Sequence, residues 1–153
     1  MAADVGTDVV LADLDGPALA SVAAEVEAAG QSALVVVGDA ATAAGVTGLI
    51  DAAVARFGRI DVFCANAGID RGLGLEASEA DWAASLEVNL MAHVRAAQLL
   101  VPRWLETGGG RFIVTASAAG LLTMLTAPAY SASKHAAVAF AEWLRATYGH
   151  RGI

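Results

Sequence analysis

A chain of 153 residues fits one domain with a substantial core, and 57% hydrophobic content with a mean hydropathy of +0.58 excludes disorder. The net charge of −7 and pI near 4.7 argue against nucleic acid as a partner, because phosphates demand a basic face. Cys64 is alone, which rules out an internal disulfide and fits a reducing cytoplasm, and the acidic start MAADVGTD lacks the basic-then-apolar layout of a signal peptide.

In chain order, Asp8 to Leu14 reads as a short buried strand with an acid at its carboxyl end. Asp15 then suits an N-cap, with Pro17 in the first turn of a helix whose stripe is Leu19, Val22, Ala23 and Val26 and which Gly30 ends. A second strand, Ser32 to Val37, stops at Gly38-Asp39. The next helix carries Val46, Leu49, Ile50, Ala53, Val54 and Phe57 on one side and ends near Gly58. A third strand, Asp61 to Ala65, leads into Asn66-Ala67-Gly68, and Cys64 within it reads as a small buried hydrophobe. From about Ser78 to Glu106 runs a long helix or a broken pair, with Pro102 as a kink candidate. Gly108 to Gly110 then make a turn before a strand from Arg111 to Ala116, and the last helix covers roughly Tyr130 to Tyr148. Strands alternating with helices of this length imply right-handed crossovers and a parallel sheet with helices on both faces. No linker or repeat divides residues 1–153, which read as a single domain.

Two features of the second half bear on partners. Leu90, Met91, Val94, Leu99, Leu100, Val101 and Trp104 on one long helix, and Val138, Phe140, Trp143 and Leu144 on the other, leave both apolar on more than one face. The sheet covers one side, and a second copy of the chain is the natural cover for the other, so a homo-oligomer is expected. The span from Phe112 to Ser133 carries no charge and is long enough to cross a bilayer, but its Ser and Thr residues, Gly120 and Pro128 speak against a membrane helix.

The chemistry gathers between Ser117 and Lys134. Tyr130 and Lys134 are four residues apart and so share a helix face, and Ser117 ends the strand before them. Lys134 is the only lysine among nine cations. A charge kept for solubility alone works equally well as arginine, whereas chemistry that needs a compact point charge does not. His93, His135 and His150 have no shared metal-ligand spacing, so no metal is expected. Leu121, Leu122, Met124 and Leu125, in the loop leading to Tyr130, read either as the lining of an apolar substrate pocket or as ordinary loop packing.

Tyr130-Ser-Ala-Ser-Lys134, Ser117 in TASAAG, Asn66-Ala-Gly68 after a strand and Asn89 in EVNL, in that arrangement, resemble the short-chain dehydrogenase/reductase family over nearly the whole chain. The resemblance implies a Rossmann-like, doubly wound α/β fold and an NAD-dependent enzyme that interconverts a small secondary alcohol and a ketone. Removing the hydroxyl proton while hydride leaves the carbinol carbon requires a base. A free tyrosine, titrating near pH 10, is a poor one at neutral pH. Lowering such a group by about three units takes roughly 4 kcal/mol, and an ammonium at about 4 Å in an effective dielectric near 20 contributes about that much. The resemblance therefore makes Tyr130 the acid/base and Lys134 its electrostatic partner and a holder of the nicotinamide ribose. It makes Ser117 a donor to the reacting oxygen and Asn89 the residue that positions a water in a proton relay.

For the cofactor, Asp13 is either an ordinary loop acid or the acceptor for the adenosine ribose hydroxyls, and the resemblance implies the second, with NAD preferred over NADP. Asp39 matches the position against the adenine ring, with helix capping as its plain alternative. The resemblance makes Asn66, Ala67 and Gly68 the turn that steadies the sheet and approaches the cofactor ribose. The family's glycine-rich phosphate turn would precede the strand of Asp13, where only Gly6 lies, and Gly72-Leu73-Gly74 and Gly108 to Gly110 read as turns. The expectation is thus an incomplete fold, lacking its first strand with that turn and its C-terminal strands, with no measurable affinity for NAD by itself. The alternative of a different class is a non-catalytic fragment that keeps only the dimerising helices.

Overall fold

The computed structural model describes residues 6–153, which form two compact units, one up to Ile60 and the other Asp61–Ile153. In the first unit, β1 (Val9–Asp13) runs parallel to β2 (Ala33–Val37), with Val9 opposite Ala33 and Asp13 opposite Val37. Helix α1 (Gly16–Ala28) joins them. The Asp15 side chain caps it by accepting from the Ala18 N–H at 3.0 Å, and Gly30, at φ +84°, turns the chain beyond its end. Helix α2 (Ala43–Phe57) starts at Thr42, whose hydroxyl accepts from the Gly45 N–H at 3.0 Å, and ends on a left-handed Gly58. Leu19, Ala23 and Val26 of α1 and Val46, Ile50 and Ala53 of α2 are buried, while Val22 of the expected stripe is exposed.

In the second unit, β3 (Val62–Ala65) runs parallel to β4 (Arg111–Val114), Val62 opposite Arg111 and Ala65 opposite Val114. A continuous helical run lies between them in sequence. Helix α3 (Glu79–Leu86) begins in a reciprocal cap, in which Ser78 Oγ accepts from the Asp81 N–H and the Asp81 carboxylate accepts from the Ser78 N–H. A π-turn, Glu87–Met91, passes it into α4 (Ala92–Thr107), which continues through Pro102 and ends on Gly108 at φ +96°. Helix α5 (Pro128–Tyr148) opens with Pro128 in its first turn, two residues earlier than the sequence pattern suggests. Ala97 and Val101 of α4 and Leu144 of α5 are the buried heart of a cluster completed by Leu105, Phe112, Phe140, Tyr148 and Ile153.

Parallel strand pairs packed on helices are the Rossmann-like α/β class expected. Two readings need correction. Cys64 is exposed, as are Val62 and Ile113, because the face of the β3–β4 pair that carries Val62 and Cys64, with Arg111 and Ile113 opposite them, is left uncovered. The residues of β1 are half-buried rather than buried, apart from an exposed Asp13. Of the two alternatives for the segment from about Ser78 to Glu106, the long helix holds, with a π-turn that inserts an extra residue without interrupting it. The uncharged span 112–133 divides into β4, a short 3₁₀ turn and the start of α5, and among the described residues no helix is long and apolar enough to cross a membrane.

Gly110 packs flat against the indole of Trp104, which is 3% exposed, and a Cβ there would overlap the ring. Gly110→Ala should therefore cost about 1–3 kcal/mol, read as a lower urea midpoint. An unchanged midpoint would mean that the indole moves aside freely.

Candidate active site

β4 delivers the chain to Thr115, and Ser117 follows at an extended φ of −159° as the cap of the 3₁₀ turn Ala118–Gly120, its Oγ accepting from the Ala119 N–H at 3.1 Å. Gly120 lets that turn sit on α5, because a Cβ there would come within 2.8 Å of the Lys134 carbonyl. On α5, Tyr130 and Lys134 fall one turn apart on the same face, and the Lys134 Nζ lies 5.8 Å from the centroid of the Tyr130 ring. Ser117, Tyr130 and Lys134, with Asn66, Gly68 and Thr115, line one cleft of about 440 Å³.

Lys134 is 3% exposed, and its ammonium donates to the Thr115 carbonyl at 2.9 Å. Burying a charge is costly unless it is well bonded, so this carbonyl fixes where the ammonium sits. Gly68 makes room from the other side, since a Cβ at that position would stand 3.2 Å from Nζ and 3.4 Å from Asn89 Oδ1. Asn66 accepts from the Thr115 hydroxyl at 2.8 Å, which ties the turn after β3 to the residue after β4.

Asn89 lies in the π-turn and is fully buried. Its Oδ1 accepts from the Ile69 N–H at 2.8 Å, and its Nδ2 donates to the Ile69 carbonyl and to Ser133 Oγ, each at 2.9 Å. Ser133 in turn donates to the Tyr130 carbonyl at 2.8 Å, so the amide of Asn89 braces both the turn after Gly68 and the start of α5. Ala67 is exposed between Asn66 and Gly68. In the first unit, Asp13 ends β1 exposed, with one carboxylate oxygen accepting from the Asp15 N–H at 3.1 Å, and Asp39 accepts from the Ala41 N–H at 2.9 Å just before α2.

Four of the nine residues singled out in the sequence meet at the cleft with their side chains engaged as described (Asn66, Ser117, Tyr130 and Lys134), Gly68 lines it through its missing Cβ, and Asn89 stands behind it. Sequence reasoning passed over Thr115, whose carbonyl and hydroxyl both bond within the site, and Ser133, which is visible only as a small polar residue between Tyr130 and Lys134. It also set aside His93. That imidazole is 1% exposed, and neither ring nitrogen makes a well-formed hydrogen bond within the protein. Burial, and after it the charge of Lys134, hold its pKa down to about 4 against a weaker pull from the Ala67 backbone. His135, by contrast, is exposed and bonds only back along its helix, to the Ser131 carbonyl.

Two predictions rest on this geometry. Asn89→Ala strips both backbone groups of Ile69 of their partners and should cost about 2–4 kcal/mol, with hydrogen exchange at the Ile69 amide accelerated. Exchange there at the wild-type rate would show that the brace is dispensable. His93 is neutral in the folded chain down to about pH 4, whereas in the unfolded chain it takes a proton near 6.5. The unfolded state therefore binds more protons between those values, and stability falls as pH drops through that window, by at most about 3 kcal/mol from this group. Subtracting the pH dependence of His93→Gln from that of the wild type isolates the slope, and a zero difference would place the imidazole in contact with solvent.

A family model described as short chain dehydrogenase matches residues 1–153. The chain is 38% identical over 148 residues to 1-deoxy-11-beta-hydroxypentalenate dehydrogenase of Streptomyces avermitilis, an alignment covering 94% of this chain and 55% of that protein. Among solved structures, a short chain dehydrogenase/reductase from Burkholderia phymatum in complex with NAD superposes with a TM-score of 0.92 at 36% identity, over 98% of this chain and 54% of its own. A 7 alpha-hydroxysteroid dehydrogenase complexed with NADH and 7-oxo glycochenodeoxycholic acid gives a TM-score of 0.93 at 25% identity, over 99% and 59%. The chain thus spans a little over half the length of the proteins it matches.

Proposed function

The chain belongs to the short chain dehydrogenase family, and on that premise we propose that it carries the acid/base site of an NAD(H)-dependent oxidoreductase that interconverts a secondary alcohol and a ketone. The observation that carries this reading is the convergence of a hydroxyl, a phenol and a buried ammonium, from Ser117, Tyr130 and Lys134, on one cleft. The Tyr130 phenol takes the proton from the alcohol in oxidation and returns it in reduction. Lys134, held by Thr115, favours the phenolate electrostatically, and Ser117 donates to the reacting oxygen. Asn89 keeps the two halves of the site in register through Ile69 and Ser133.

The residues of each unit, taken by itself, suit one part of a dinucleotide. The exposed carboxylate of Asp13 is free on its outer side to accept from vicinal ribose hydroxyls, and Asp39 stands at the end of the neighbouring strand for the adenine. Asn66, Ala67 and Gly68 present a turn without bulk beside Lys134, which suits the approach of the nicotinamide ribose. When bound, the dinucleotide supplies the acceptor or donor for the hydride. The NAD and NADH of the two superposed structures support the choice of NAD(H).

An apolar substrate fits the mouth of the cleft. Met124 lines it, and Leu121, Leu122 and Leu125 of the same loop are 70–92% exposed. The pentalenate and bile-acid names of two relatives point the same way. Exposed Trp143 on α5 and Met91 beside α4 favour a homo-oligomer built on these helices.

In an enzyme that joins this site to a phosphate-binding turn, Tyr130→Phe should abolish turnover of secondary alcohols, a loss of at least 100-fold, while leaving cofactor affinity nearly unchanged. A variant with most of its kcat intact would remove Tyr130 as the base. In the same assay kcat/KM should favour NAD over NADP, and the opposite preference would remove Asp13 from the ribose.

A further inference from the structure

The amide of Asn89 has no donor left. Both Nδ2 hydrogens are committed, to the Ile69 carbonyl and Ser133 Oγ, and Oδ1 already accepts from Ile69. It is thus built as a brace for the backbone rather than as a hook for a mobile group. One helical turn on stands His93, fully enclosed, with no well-formed hydrogen bond to either ring nitrogen. The backbone of Ala67 after β3 interacts with one of them, and the Lys134 ammonium on α5 is within electrostatic reach of the ring. Lys134 in turn has three N–H groups and spends one on Thr115. A buried imidazole with a nitrogen left unpartnered, within electrostatic reach of a buried ammonium with donors to spare, is an arrangement that proteins complete with an internal water.

We propose that His93 is a positioning residue for Lys134, acting through one buried water that accepts from the Nζ of Lys134 and donates to the unprotonated ring nitrogen of His93. This deepens the acid/base reading above and rests on it. The neutral ring is a fixed acceptor that does not itself carry the proton away. It holds the second N–H of the ammonium as the Thr115 carbonyl holds the first, and it leaves the third for the cleft. A hydrocarbon at residue 93 would leave the ammonium tethered on one side only.

The chain has a single lysine, so a lysine-specific ¹⁵N label reports Lys134 without ambiguity. In the wild-type chain, the Lys134 ammonium protons should show a cross-peak to a long-lived water. The ¹⁵N spectrum of His93 should show one protonated nitrogen and one neutral nitrogen shifted by hydrogen bonding. His93→Gln, which keeps an acceptor, should preserve the water cross-peak. His93→Leu should lose it, with ammonium exchange at least tenfold faster and a lower Tm. Wild-type spectra without a long-lived water at Lys134 would overturn the proposal even if the leucine variant does not fold. So would a His93→Leu chain with a raised Tm and an unchanged lysine signal, because relief of an unsatisfied polar group would then be the whole effect. None of these readouts involves turnover, so failure here is separable from failure of the Tyr130 assignment.

Discussion

The site depends on one buried ammonium being held still. Lys134 comes from the first turns of α5, and its hydrogen bond to the Thr115 carbonyl joins that helix to the chain leaving β4. A lysine at 3% exposure has given up most of its hydration, so displacing its ammonium from the acceptor is expensive. That cost makes the position of Nζ well defined, and with it the charge that Tyr130 experiences. Gly68 is the steric counterpart, because a side chain at that position would press on Nζ from the other direction.

Around this point the backbone is cross-braced. Asn66 fastens the turn after β3 to Thr115, and Asn89 fastens Ile69 to Ser133 and so to the carbonyl of Tyr130. The π-turn is what allows Asn89 to do this from a helix interior, since it carries the amide into the core at a place where a regular turn would direct it elsewhere. Both asparagines of the chain are spent on these two ties. The side chains of Tyr130 and Lys134 are therefore set by contacts from three separate segments, each satisfied by short hydrogen bonds.

Much of this was legible in the sequence, for physical reasons that can be named. The spacing of Tyr130 and Lys134 fixes a shared helix face whatever else the chain does, and Asp15, Gly30, Gly58 and Gly108 mark helix ends through side-chain chemistry and positive φ. What was not legible depends on tertiary partners. Nothing in EVNLM distinguishes a π-turn from a regular one. The role of Thr115 is played largely by its carbonyl, which every residue has. Cys64 has the composition of a core residue but lies on an uncovered face of the β3–β4 pair, so periodicity alone reads it as buried. The isolation of His93 is likewise a fact about its neighbours: a histidine in a helical stripe looks the same whether its ring is bonded or bare.

The central claim is that the site requires a compact ammonium at residue 134 and not merely a positive charge. In an enzyme that joins this site to a phosphate-binding turn, Lys134→Arg tests it most directly, because the charge is kept while a planar guanidinium replaces a point donor that Thr115 holds and Gly68 closely flanks. With folding verified by circular dichroism, the account predicts a fall in kcat of at least 100-fold. An arginine variant that keeps most of its kcat would contradict it.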